Sequence, residues 1–402
     1  MTYQGSVLNE PKSSVQLAQI SPLHPAAGRI PTCAIVSTYP PTQCGLATFA
    51  SALASGLTQV GVSDVGIVKI GESKEVDGVS SLVGFLPPGN LRERVNAARA
   101  INGYDFLLLQ HEFGIFGGED GVEVLDLLAD VHVPVVVTLH TVPLSPSVGQ
   151  RRVLEALANR ADLLVTMTEV ARDRLLRLYR VHPECVVTIP HGATVPKAFS
   201  IPCSGVTNLL TWGLLGPGKG IEWVIDALSL LPDLQDKVHY TIAGQTHPKV
   251  FEQNGDSYLN MLKERAQTLG VDSLVTFDSQ YRDLESLLTV IEMSSCVVLP
   301  YDSPDQITSG VLVDAVSAGR PVIATQFPHA LELLKTGAGV VVPHQSPVEI
   351  AKAIRDVTLN HDKVTTMCEA SRPLAHEHKW SVVAARYAEA GARLVEKSQL
   401  VG

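Results

Sequence analysis

At 402 residues the chain exceeds what one hydrophobic core usually organises, so two domains of roughly 150 to 200 residues each are expected. Hydrophobic residues at 45% and charged residues at 18% are globular usage and exclude a disordered chain. A formal net charge of −10 argues against a broad nucleic-acid or anionic-membrane footprint, yet leaves room for a small anionic ligand, which needs only a local pocket of positive potential.

Residues 1–29 lack periodicity and carry no cationic start followed by an apolar stretch, so a flexible leader without a secretory signal is expected. No apolar run approaches the ~18 residues that span a bilayer, and a cytoplasmic protein is expected. Cys33, Cys44, Cys185, Cys203, Cys296 and Cys368 are scattered, with no C-x-x-C pair and no zinc-like spacing, and read as reduced thiols. From Pro31 onward short β-branched runs alternate with helical patterns: CAIVST then ATFASALASGL, DVGIVKI then LRERVNAARAI, DFLLLQ then VEVLDLLADV, PVVVTLH then QRRVLEALANR. Strands this continuously apolar are covered on both faces, which predicts a parallel sheet between helices. The pattern loosens at Ala198–Thr207, the expected linker, and a second β-α series comes after it. The expected organisation is a Rossmann-like domain over 30–200, a second over 205–378, and a C-terminal helix over 379–402 that returns across the first domain.

In open parallel sheets ligands bind beyond the strand C-termini, so residues just after strands hold the candidate chemistry. Gly45, after CAIVST, falls at a helix start where backbone N–H groups can approach a phosphate or sugar; an ordinary tight turn fits equally well. Gln110, His111 and Glu112 leave DFLLL into a glycine-rich loop, either toward a ligand or bonded within their own loop. His140 ends the apolar strand PVVVTLH, a position that packing explains poorly. In TWGLLGPGKGIEWV, Gly218, Lys219 and Gly220 open a helix; a lysine there opposes the helix dipole unless an anion sits between them. The fifth segment, CVVLPYDSPDQITSGVLVDAV, presents Asp302, Asp305 and Gln306, then Thr308, Ser309 and Gly310 leading into a helix near Val311. Gln306 and Asp314, eight positions apart, can face one crevice, and carboxylates suit ribose and sugar hydroxyls.

With these motifs the chain resembles the retaining glycosyltransferases of family 4, in the two-domain GT-B class. The likeness runs from about Ala34 to Tyr387. It is most specific in the fifth segment with GRPVIAT, ELLKTGAGVVVP and PVEIAKAI, and includes the P-H-G of Pro190 to Gly192.

The resemblance implies an α/β GT-B fold with two Rossmann-like domains across a cleft, the N-terminal one for the acceptor and the C-terminal one for a nucleotide-sugar donor. It makes Lys219 the diphosphate lysine. Asp314 and Gln306 take the two glutamate places of the E-x7-E motif, on the ribose and near the donor sugar. Thr308, Ser309, Gly310 and Val311 would supply backbone contacts to the diphosphate, Gly45 the N-terminal glycine loop, and His140 a contact to the transferred sugar. Lys219, His140 and Gln306 are thus the expected catalytic residues. Gly218 and Asp305 join the donor site, and Gln110, His111, Glu112 and His191 the acceptor or sugar vicinity. The family's arginine after Gly213 is replaced by Leu214, which leaves its role to Arg320 or to another residue.

The expected reaction moves a hexosyl group from a nucleotide sugar to a saccharide hydroxyl with retention. GDP-mannose is the favoured donor and UDP-glucose its competitor, with no essential metal or other cofactor. A homodimer is compatible with the sequence. The altered E-x7-E places and Leu214 also fit a non-catalytic nucleotide-sugar-binding protein, and a GT-B epimerase or phosphorylase is a third class.

Overall fold

The computed structural model describes residues 31–77, 81–196, 199, 205–280 and 282–401. The leader over 1–29 and most of the expected linker lie outside the described residues.

Seven parallel strands form the N-terminal sheet: β1 (Cys33–Ser37), β2 (Val65–Ile70), β3 (Ser81–Leu86), β4 (Phe106–His111), β5 (Val135–Leu139), β6 (Leu163–Thr166) and β7 (Val186–Thr188), in the order β3-β2-β1-β4-β5-β6-β7. Six more form the C-terminal sheet: β8 (Thr207–Trp212), β9 (Val238–Ala243), β10 (Val275–Asp278), β11 (Cys296–Leu299), β12 (Val322–Thr325) and β13 (Gly339–Val342), in the order β10-β9-β8-β11-β12-β13. The central strands are buried along their whole length, as their apolar runs require when helices cover both faces. The edge strands β3 and β7 escape that pattern: one is half-exposed with a register shift between Leu82 and Gly84, the other only three residues long.

In each sheet the first strand is internal, and the order in which strands are added reverses beside it. β1 lies between β2 and β4, and β8 between β9 and β11. Loops leaving such a switch point diverge to opposite faces and open a crevice at the strand C-termini. Two crevices result, one in each domain.

The final helix, Trp380–Val401, packs on the N-terminal domain although it comes after the C-terminal one. Val383, Ala384, Tyr387 and Ala388 share one apolar cluster with Phe49, Leu53 and Leu57 of the helix Gly45–Gln59. Gly56 permits the approach, since a Cβ there would stand 2.9 Å from the Ala384 Cβ. Thr138 Oγ1 donates to the buried Tyr387 hydroxyl at 3.2 Å. Burying a side chain of that size contributes about 2 kcal/mol, so the return helix is fixed by packing.

Further contacts join the domains. Thr168 Oγ1 donates to the Ile307 carbonyl at 3.0 Å, and the Ile307 side chain lies in the N-terminal core cluster. The Glu332 carboxylate accepts from the backbone N–H groups of Glu169 and Val170 at 2.9 and 2.8 Å, satisfying free donors at the start of the helix Glu169–Leu178. Among the described residues, no helix is long and apolar enough to cross a membrane.

Candidate active site

The two crevices face each other across a cleft of about 550 Å³. One wall is built from the loops after β1, β4, β5 and β7, the other from the loops after β8, β9, β10 and β11. A second hollow near Pro88 and Arg94, about 100 Å³, lies away from it.

On the C-terminal wall, Gly220 turns the chain into the helix Ile221–Ser229 with φ +66°, a left-handed conformation that glycine adopts without strain. A Cβ there would also lie 1.9 Å from the Pro300 carbonyl oxygen. The loops after β8 and β11 therefore interlock, helped by the Asp302 N–H donating to the Gly218 carbonyl and by Trp223 Nε1 donating to Asp302 Oδ1 at 2.8 Å. This holds Lys219 in the cleft with Nζ 4.8 Å from the centre of the Tyr301 ring. Burial lowers its pKa, and no carboxylate pairs with it among the described residues. A half-buried ammonium with no carboxylate beside it is a site for an anion.

Beside it begins the helix Gly310–Ser317. The Ser309 hydroxyl caps Leu312 N–H at 3.2 Å, and Ser309 N–H donates to His329 Nδ1 at 2.9 Å. The amides of Gly310 and Val311 are left at the cleft surface, at the positive end of the helix dipole. One turn on, Asp314 lines the same wall, and burial pushes its carboxyl up to about 7.

On the N-terminal wall, Gln110 and His140 share one face because β4 and β5 are in register and side chains alternate along a strand. His140 Nε2 donates to Gln110 Oε1 at 2.8 Å, which leaves Nδ1 as an acceptor. Phe49 packs edge-on against both His140 and His191, with ring centres 4.9 and 5.0 Å apart. His191 Nδ1 donates to the Gly192 carbonyl at 2.7 Å, leaving Nε2 bare toward Gly310. Burial pushes His140 down to about 3 and His191 down to about 4, so both rings are neutral near pH 7. Glu112 turns into the cleft with its carboxylate accepting from Phe113 N–H and Thr141 Oγ1.

Of the residues singled out in the sequence, Gly45, Glu112, His140, His191, Lys219, Thr308, Gly310, Val311 and Asp314 meet in this cleft. Others do not line it. His111 has the opposite strand parity to Gln110 and is buried between Phe113 and Phe116 behind the sheet, so it is not in the acceptor vicinity. Gln110 is fully buried and acts by holding His140. Asp305 forms an ion pair with Arg174 of the N-terminal domain instead of lining the cleft. Gln306 donates back to the Thr308 carbonyl at 3.3 Å, and Ser309 is buried as the helix cap. Gly218 shapes the turn behind Lys219. Arg320 is buried, donating to the carbonyls of Ala318, Glu292 and Ser294, and cannot replace the cation missing at Leu214. Leu214 itself lines the cleft, as does Arg282, which stands just after β10 and pairs with Asp278. Arg282 belongs to no motif in the sequence, and its one signal there is its place directly beyond the short apolar run of β10.

Comparison with known proteins agrees with this geometry. Residues 45–195 match the model of Glycosyltransferase Family 4, and residues 207–360 match that of Glycosyl transferases group 1. The chain belongs to the GT-B glycosyltransferases of family 4. This family member is 25% identical over 244 residues to a D-inositol 3-phosphate glycosyltransferase of Saccharomonospora viridis, the match covering 56% of the chain and 54% of the relative. It is 25% identical to a mannosylfructose-phosphate synthase of Agrobacterium fabrum over 41% of the chain and 37% of the relative. The chain thus spans about half the length, or less, of these curated relatives. The Anabaena protein Alr3699/HepE, solved with UDP and glucose, shares the fold with a TM-score of 0.66 at 17% identity, over 89% of this chain and 98% of that one.

Proposed function

We propose that the protein transfers a hexosyl group from a nucleoside diphosphate sugar to a hydroxyl of a saccharide acceptor, with retention at the anomeric carbon. One observation carries this reading: unpaired Lys219, the free amides of Gly310 and Val311, and Asp314 stand together on one wall, opposite His140 on the other. The arrangement suits a leaving group that gathers negative charge. As the glycosidic bond lengthens, the diphosphate charge grows toward the Lys219 ammonium and the helix start, which are already oriented. Asp314 is placed to accept from ribose hydroxyls. His140, fixed by Gln110, presents Nδ1 to the transferred sugar. Glu112 and Asp314 are the acids of the cleft among the described residues; Glu112 is held by two donors and Asp314 is placed for the ribose. That favours attack from the face of the departing diphosphate, which itself takes the acceptor proton.

GDP-mannose is the donor we favour, in keeping with the mannosyl product named for the Agrobacterium relative. UDP-glucose is the second reading, supported by the UDP and glucose held by the Anabaena protein. The N-terminal domain serves as the acceptor domain, in the cytoplasm. The test is a thermal-shift comparison of GDP-mannose and UDP-glucose, followed by mass analysis of glycoside formed from the stabilising donor. Stabilisation with transfer supports the enzyme; binding with neither transfer nor hydrolysis would make the chain a nucleotide-sugar-binding protein.

A further inference from the structure

The two walls of the cleft differ in charge. Among the described residues that line it, the only cations are Lys219 and Arg282, both on the C-terminal wall, where Lys219 faces the donor diphosphate and Arg282 is paired with Asp278. The N-terminal wall has one charged side chain, and it is the acid Glu112. Its histidines add no positive charge, because burial holds His140 and His191 well below neutral pH. Their bare nitrogens, Nδ1 of His140 and Nε2 of His191, only accept hydrogen bonds, as does the Glu112 carboxylate.

Three other cations of the same domain are committed elsewhere. The buried Lys69 ammonium donates to the Glu75 carbonyl, Arg94 pairs with Asp126, and Arg174 pairs with Asp305. Lys249 of the opposite domain stands near Gly114 at the rim but is exposed, where water screens a charge pair.

Glu112, His140 and His191 need a ligand that donates, beside the neutral donors Gln43, Thr48 and Trp380 of the same wall. Sugar and polyol hydroxyls do; a phosphate dianion offers only acceptors and would meet Glu112 with no cation beside it. From this we infer that the acceptor is an uncharged sugar or polyol, gripped through hydroxyl donors by Glu112, His140 and His191, and that phosphorylated acceptors are rejected. The inference rests on the transferase reading above, and it parts this chain from relatives whose names carry a phosphate.

The test loads the full chain with a saturating nucleoside diphosphate, chosen by thermal shift. It then measures by calorimetry the binding of glucose against glucose 6-phosphate, mannose against mannose 6-phosphate, and myo-inositol against an inositol monophosphate. The neutral member of at least one pair should bind about tenfold tighter than its phosphate, and Glu112→Gln should narrow that gap several-fold. Tighter binding of the phosphorylated member, or equal binding within every pair, overturns the inference. Donor turnover, with hydrolysis to water included, is measured separately. If no donor is cleaved, the transferase reading fails on its own, and the binding comparison still decides what the N-terminal wall accepts.

Discussion

Arg174 and Asp305 form an ion pair across the domain boundary, and Asp305 belongs to the loop that continues into Thr308 and Gly310 at the C-terminal wall of the cleft. Arg174 also donates to the carbonyls of Val142 and Asp305, and Leu144 N–H donates to Asp305 Oδ2 at 3.3 Å. That loop is thereby anchored by the N-terminal domain. Its position and the relative placement of the domains are coupled through this contact.

Asp305→Ala should therefore weaken donor binding although Asp305 does not line the cleft. Asp305 is 41% exposed and Arg174 keeps its carbonyl partners, so the stability loss should stay near 1–2 kcal/mol. Donor KM should rise several-fold with a smaller change in kcat. Urea titration and initial rates check both; an unchanged donor KM would leave the pair a purely structural tie.

Asp314 makes stability and binding respond oppositely to pH. Its folded-state carboxyl is pushed up to about 7 by burial, above the unfolded value near ~4. The stabilising contribution is full below about pH 4 and is lost as pH rises through about 7, on the order of 2–4 kcal/mol. Asp314→Asn removes this loss, so at pH 8 without donor the variant should melt higher than the parent. Ribose hydroxyls favour the ionised carboxylate, so parent donor affinity should rise from pH 6 to pH 8 while the variant stays weak and flat.

Most of the cleft is legible in the sequence because its residues sit at the ends of long apolar strands, where periodicity marks both strand and loop. Gly45, His140, Lys219 and Gly310 stand out for that reason. Sequence reading fails where three-dimensional direction decides. His111 and Gln110 are neighbours along the chain, but alternation sends one behind the sheet and the other under His140. Asp305 reads as a ligand carboxylate until the opposite domain supplies Arg174. The edge strands β3 and β7 lack the buried run that announces a strand, and the helix His361–His378 hides behind an internal Pro373.

Leu214 and Arg282 make a paired prediction. Both line the cleft, and Arg282 already neutralises Asp278. If Arg282 assists the anionic donor, Arg282→Ala should lower donor affinity about tenfold or more, since a charge-assisted contact is worth about 1.5–3 kcal/mol. Adding Leu214→Arg to that variant should recover part of the loss. Recovery is read in donor KM at low salt and should shrink as ionic strength rises. Wild-type affinity in Arg282→Ala would sink its role.

Two glycines of the C-terminal wall should fail in different ways when replaced by alanine. At Gly220 the added Cβ would stand 1.9 Å from the Pro300 carbonyl oxygen, a backbone atom that cannot swing aside, and φ +66° is unfavourable for alanine by about 1–2 kcal/mol. Gly220→Ala should lose about 3 kcal/mol or more and release the interlock that holds Lys219. At Gly310 the Cβ would meet His191 Nε2 at 2.9 Å, a ring that can tilt by a few tenths of an ångström. Alanine is also a better helix former than glycine by about 1 kcal/mol, so Gly310→Ala should keep or slightly raise the melting temperature. Its cost falls on turnover, because the tilt displaces His191 and the new methyl fills space beside the free amides meant for the diphosphate. A loss of about tenfold or more in kcat/KM at unchanged stability separates that outcome from unfolding. Intact turnover in Gly310→Ala would mean that the diphosphate does not rest on this helix start.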